Sequence, residues 1–252
     1  MELKLFNSLY TQTSYYNKNG QQSEKGHDYR ATFFASNFRA SYGLNHWATI
    51  GLSVSAGSML LDTQSKNATK VFAFKNDGFS HRTAIGYISP QLTFLLKNNK
   101  EKGLNTAWKT IIRIPVANDL DGSQGGKGYY GFDGYTISNY FLLDKKFGQN
   151  FTLYMQSGLV GSIPKNQLQQ GQLYSPVELI FSYFPKHNYG IYINKEWIFG
   201  SNGKFIYSGK FGGGAKFLLS HNFEIELAYT NYYTGLNQGA GENVGLGLRL
   251  LH

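Results

Sequence analysis

Along residues 49–57, TIGLSVSAG, Ile50, Leu52, Val54 and Ala56 alternate with Thr49, Gly51, Ser53, Ser55 and Gly57. A strict period of two sends successive side chains to opposite faces, so the stretch predicts a β-strand with one apolar face and one face of small residues. The same alternation recurs along the chain. Phe34, Phe38, Ala40 and Tyr42 alternate with Ala35, Asn37, Arg39 and Ser41; Ala84, Gly86, Ile88, Leu92 and Phe94 with Ile85, Tyr87, Ser89, Gln91 and Thr93. Trp108, Ile112, Ile114 and Val116 oppose Lys109, Ile111 and Arg113, and comparable segments begin near Thr136, Phe151, Val177, Ile191, Lys210, Phe223 and Val244. With an N-terminal segment around Leu3 to Tyr16, whose facing the pattern does not assign, about twelve strands are predicted.

The connections between these segments alternate in length. NKNGQQSEKGH, the run from Asp62 to Arg82, NDLDGSQGGKGYYGFDG, PKNQLQQGQL and TGLNQGAGE are long or moderate; GLNH, KKFGQN, PKHN and SHN are short. Short turns at one end and longer loops at the other, around an even number of strands, predict an up-and-down barrel rather than a Greek-key sandwich. Aromatic residues mark both ends of the strands. Tyr42, Trp47, Phe147, Phe151, Phe184, Tyr189, Phe217 and Phe223 flank the short turns, and Tyr15, Tyr16, Tyr135, Tyr174, Trp197 and Tyr233 lie opposite, as two interfacial girdles would.

Composition fits this pattern. In 252 residues there are 30 Gly, 5 Pro, 19 Tyr and 19 Phe, suited to many strands joined by turns, and the whole chain reads as one domain, 1–252. No window approaches the roughly 18 consecutive apolar residues that a membrane-spanning helix needs. Cys is absent, which excludes disulfides and thiolate metal sites. The opening MELKLFNS has neither the basic start nor the apolar run of a signal peptide. The net charge of +9 invites a nucleic-acid reading, but the basic residues are scattered singly and no nucleic-acid module is present, so no nucleic-acid partner is expected.

With its alternating strands, its opening LFNSLYTQTSYYNKNGQ and its closing NVGLGLRLLH, the chain resembles the Gram-negative outer-membrane β-barrel class, twelve-stranded and porin- or transporter-like. The closing segment looks like the C-terminal strand read by the barrel-assembly machinery, though it ends in His252 rather than an aromatic. The resemblance implies residence in the outer membrane, in contact with phospholipid and lipopolysaccharide, with other envelope proteins as further candidate partners. Backbone groups in hydrocarbon must be paired internally, so the first strand must meet the last. Ile50, Leu52, Val54 and Ala56 then face lipid, and the small residues between them line a lumen.

Parity assigns the charged lumen residues. Arg39, Lys109, Arg113, Lys210, Lys216 and Arg249 point inward against Glu178, Glu196, Glu224 and Glu226, an excess of positive charge that favours anions. A row of Lys216, Glu226 and Arg249, with Glu224 nearby, is expected near the short-turn end as cross-strand pairs. No catalytic residue, cofactor site or metal site is expected. The six His, at 27, 46, 81, 187, 221 and 252, fall in loops, turns or the terminus, and none sits on a strand two residues from a Ser. GKFGGGAK lacks the GK[ST] ending of a phosphate loop. DLDG, with Asp133, lacks the later bidentate Glu of a calcium loop and reads as an ordinary solvated loop. Two functions remain: a passive pore or transporter for small solutes with a slight bias toward anions, and a non-conducting accessory barrel into which the Gly-rich loop at Gly122 to Gly134 folds.

Overall fold

In the computed structural model, which describes residues 1–24, 30–62, 68–77, 80–122, 128–165, 170–186, 188–201 and 204–251, the chain is all β with one short helical turn. The strands are β1 (Glu2–Tyr16), β2 (Gln22–Glu24), β3 (Arg30–Gly43), β4 (Ala48–Asp62), β5 (His81–Asn99), β6 (Leu104–Pro115) and β7 (Gly134–Phe147). They continue with β8 (Phe151–Pro164), β9 (Gln172–Lys186), β10 (Tyr189–Ser201), β11 (Phe205–Ser220), β12 (Phe223–Leu236) and β13 (Gln238–Leu251). Twelve long strands pair antiparallel with their neighbours, and β13 closes on β1 from Glu2↔Leu251 to Tyr16↔Gln238. The three-residue β2 is an appendage at the far end of β1. No strand edge of the barrel is left open, as a bilayer requires.

The wall is inverted relative to a soluble protein. Leu52, Ile137, Leu159, Ile191 and Val244 are among many large apolar side chains more than two-fifths exposed on the outer surface. Such a continuous apolar exterior far exceeds the patches of soluble monomers. Inside, Gly residues leave room for large side chains leaning across from neighbouring strands. A side-chain carbon at Gly214 would stand 2.5 Å from the Tyr192 hydroxyl, and one at Gly245 would stand 2.6 Å from the Phe6 ring. The bare face of residues 49–57 has the same origin: the amide of Gln91 crosses in front of Gly51.

Three expectations of facing are revised. Tyr16 is 5% exposed and lies over Gly235, so it is no girdle residue. Tyr174 and Phe184 share the inward parity of Glu178 and lie over Gly200 and Gly190; they too leave the expected girdles. A bulge beside Gly86 puts Ile85, 54% exposed, on the outside, while Tyr87 keeps its expected inward facing, so the facing of β5 is reversed only before Gly86. The segment TGLNQGAGE is no loop: β12 and β13 run through it and turn at Asn237 alone, whose φ of 53° is a left-handed conformation that Asn tolerates.

Outside the wall, the girdles hold. Trp47 stacks on Phe94, and Phe151 on Tyr183, at the short-turn end. At the other end Lys195 points outward, its ammonium 4.7 Å from the Trp197 ring and 5.3 Å from that of Tyr233. A lysine in this place reaches up to the headgroup region along an aromatic belt.

Candidate functional site

The lumen contains two kinds of charge. Where β1 closes on β13, strands β1, β3, β11, β12 and β13 contribute to an ion-pair network. Glu2 accepts from Arg39 of β3 and Arg249 of β13, both at 3.1 Å, and Arg249 lies 3.9 Å from Glu224. Glu226 receives Lys4 at 3.2 Å, Lys216 at 3.8 Å and the Tyr192 hydroxyl at 2.9 Å. Lys216 faces Glu226 directly, as expected, but Arg249 does not join that row. Phe223 pairs with Leu250, which sets Arg249 opposite Glu224, while Gly247 occupies the place opposite Glu226. That glycine explains the substitute partner. A side chain there would stand 3.4 Å from the Glu226 carboxylate, and without one Lys4 reaches over β13 to meet it.

Glu2 and Lys4 escaped the sequence reading because nothing in ELKLFNSLYTQT announces which face is lumenal; their partners on β12 and β13 lie 222 and 247 positions away, and Arg39 lies 37 away. They add one charge of each sign, so the positive excess among the assigned residues is unchanged.

The second kind of charge stands apart from this network. Lys109 and Arg113 of β6 and Glu178 of β9 form no ion pair among the described residues; Arg113 instead lies over the Tyr87 ring at 5.1 Å. Glu196 is neutralised by Lys210 at 2.9 Å, whereas Glu178 stands in register with Glu196, carboxylate beside carboxylate. Lys4, Arg39, Lys109, Glu178, Glu196, Lys210 and Glu226 share one central cavity of about 510 Å³. A second, of about 310 Å³, opens beside it between Glu2, Arg39, Lys109 and Tyr154. The lumen is thus lined by charge and amide groups, with basic residues on the β1–β6 side and the free carboxylate on β9.

The far end of the lumen is occupied by the loop joining β6 and β7. Arg82, on the inner face of β5 and 4% exposed, donates to the carbonyls of Asp119 at 2.6 Å, Asn118 at 2.8 Å and Gly128 at 3.0 Å. Tyr87 donates to the Phe132 carbonyl at 2.9 Å and Tyr130 to the Ala84 carbonyl at 3.2 Å. Burial pushes the Tyr130 phenol up to about 12, against the opposing charge of Arg82, so it remains a donor. DLDG is therefore not a solvated loop: Leu120 is fully buried, and Asp133, 5% exposed, meets Lys165 at 3.7 Å. No cluster of three potential metal ligands occurs among the described residues. Residues 123–127 of the Gly-rich loop lie outside the described residues, as do His27, His187 and His252.

One histidine departs from expectation. His81 begins β5 instead of lying in a loop, 3% exposed, with its Nε2 in a 2.9 Å hydrogen bond to Ser58 Oγ of β4. Thr83 Oγ1 lies 3.2 Å from the same oxygen. Ser58 is 1% exposed, and the pair is sealed under the segment that follows β4, so it fastens that segment and offers no surface to a substrate.

No family model matches the sequence, and no curated protein matches it. Among solved structures, the COG4313 outer membrane channel from Pseudomonas putida F1 is similar with a TM-score of 0.78 at 11% identity, covering 100% of this chain and 95% of that one. The fold is that of an outer-membrane channel. Two other barrels of this architecture follow. The NanC porin has a TM-score of 0.61 at 7% identity, over 99% of this chain and 100% of that one. The KdgM porin has 0.57 at 5%, over 100% and 99%. At identities this low the likeness is one of fold, and the chemistry of this barrel has to be read from its own lumen.

Proposed function

We propose that this protein is a passive pore for small solutes in the outer membrane of a Gram-negative bacterium, with a preference for anions, and that it is not an enzyme. The observation that carries the reading is the distribution of lumen charge. The seam residues neutralise one another, whereas Lys109 stands on the wall of a polar cavity in no ion pair among the described residues, and Arg113 lies against the Tyr87 ring with no acidic partner among them. Uncompensated basic groups in a narrow low-dielectric tube concentrate anions. The carboxylate of Glu178, a few strands away, gives the passage a transverse field that orients a solute carrying both signs. Barrels of the same fold described as channels and porins, including KdgM in complex with oligogalacturonate, support the reading.

The inward loop favours a second reading, an accessory barrel closed by its own chain. Planar-bilayer recording of the purified protein separates the two. Stable conductance steps with a reversal potential displaced toward the anion support the pore; a silent bilayer, with the folded barrel demonstrably inserted, refutes it.

A further inference from the structure

Residues 68–77, between β4 and β5, lie across the outer face of the barrel, where the lumen plays no part. We propose that its segment Ala68–Lys75 is a docking strap for the outer leaflet, inserting Phe72 and Phe74 at the interface and holding lipid phosphate groups with Lys70 and Lys75. Ala68–Ala73 forms a short 3-10 turn in which Val71 is fully buried against the wall, while Phe72 is 43% and Phe74 52% exposed. Both rings pack edge-on against Phe34, an outward residue of β3, at 5.1 Å and 5.9 Å between centroids. Beneath them, Thr83 donates to the Lys75 carbonyl at 3.1 Å and the buried Ser58–His81 pair completes the seat.

Its height is that of a membrane interface. From Tyr42 in the short-turn girdle to Phe34, β3 climbs about 21 Å, taking ~3.4 Å per residue and a tilt near ~40°, close to the roughly 25 Å band of such barrels. Tyr189 and Trp197 of β10 bracket the same span on another sector. The strap therefore supplies the outer girdle where β3 itself ends in Thr32 and Arg30.

Its chemistry is one-sided. Phe74 adopts a φ of 48°, a costly conformation for an aromatic residue, and with it presents its ring outward. Lys70 and Lys75 are exposed beside the two rings. The nearby acids are turned elsewhere: Asp77 accepts from the His81 amide at 2.7 Å and from Ser80 at 3.0 Å, and Asp62 meets Arg30 at 3.5 Å. Exposed rings flanked by unopposed ammonium groups suit a surface with apolar chains below and phosphates above.

The inference rests on placement in a bilayer and not on conduction. The chain has no Cys, so Phe74→Cys creates a single site for a bimane label. In vesicles of phosphatidylcholine containing lipid A, the label is expected to be quenched by lipids brominated near the headgroup. A label at Asn19→Cys, in the exposed turn after β1, is expected to be quenched by aqueous iodide instead. In mixed micelles, Lys70→Gln with Lys75→Gln is expected to weaken lipid A binding about fivefold per lysine, with single-channel conductance unchanged. Iodide quenching at position 74 equal to that at position 19, or lipid A binding unaffected by the double substitution, overturns the proposal. Heat-dependent gel mobility reports folding separately, and Phe72→Cys replaces Phe74→Cys should the latter fail to fold.

Discussion

The seam between β13 and β1 and the sector at the far ends of β4 and β5 solve opposite problems. At the seam the chain's two ends must find each other, and oppositely charged side chains on the lumenal face do the joining, Glu2 to Arg39 and Arg249, Lys4 to Glu226. At the far ends of β4 and β5 the wall is covered on both sides, by the strap outside and the β6–β7 loop inside. Consequently Ser58, Met59 and Leu60 are all buried, whichever way they face, while Ile50 and Leu52 of the same strand stay exposed to lipid. The lesson is that charge inside this barrel has distinct uses, closing the wall and holding a loop, to which the proposed function adds a third on β6 and β9, meeting a passing solute.

That distinction can be broken experimentally. The largest effect is expected from Arg82→Ala, which strands three carbonyl groups of the inner loop. The loop should detach at a cost of about 3 kcal/mol, seen as a lower unfolding temperature together with larger conductance steps; an unchanged conductance would mean that the loop does not narrow the passage. Next comes Glu226→Gln at the seam, which leaves Lys4 and Lys216 facing each other. Its carboxylate is largely enclosed but its partners are a third exposed, so about 2 kcal/mol is expected to be lost after screening. The folded band on a gel should then disappear at a lower temperature, with ion selectivity little altered.

Glu2→Gln sharpens the contrast by doing both. It releases Arg39 and Arg249 to the lumen, so heat resistance should fall by about 1 kcal/mol while the reversal potential moves further toward the anion. The smallest effect on stability belongs to Lys109→Gln, which touches no ion pair. Heating behaviour should match the parent protein, and anion preference should decline; Glu178→Gln should raise it. If Lys109→Gln alters stability and leaves selectivity intact, the separation of structural from solute-facing charge is wrong.

Much of this was legible in the alternation alone. A period of two, an apolar face too large for a soluble protein and alternating loop lengths lead to a closed barrel, because no other β structure satisfies its backbone in hydrocarbon. Parity survives wherever no bulge intervenes, and Arg39, Lys109, Glu178, Glu196, Lys210 and Glu226 of the residues it assigned inward line one cavity. It failed at Ile85, where the extra residue at Gly86 reverses the side chains of the strand that precede it. Arg82, His81 and the strap left no periodic signal because their partners are backbone carbonyls and hydroxyls on other strands.

What the sequence by itself determined is therefore the wall: which segments are strands, which faces meet lipid and which meet the lumen. The tertiary structure decided how the charges are used. Register places Gly247 opposite Glu226 and so hands that carboxylate to Lys4, and closure brings Glu2 to Arg249 from the other end of the chain. Alternation is a local property written residue by residue, whereas ion-pair partners depend on shear and closure summed around the whole barrel, and no short stretch of sequence records that sum.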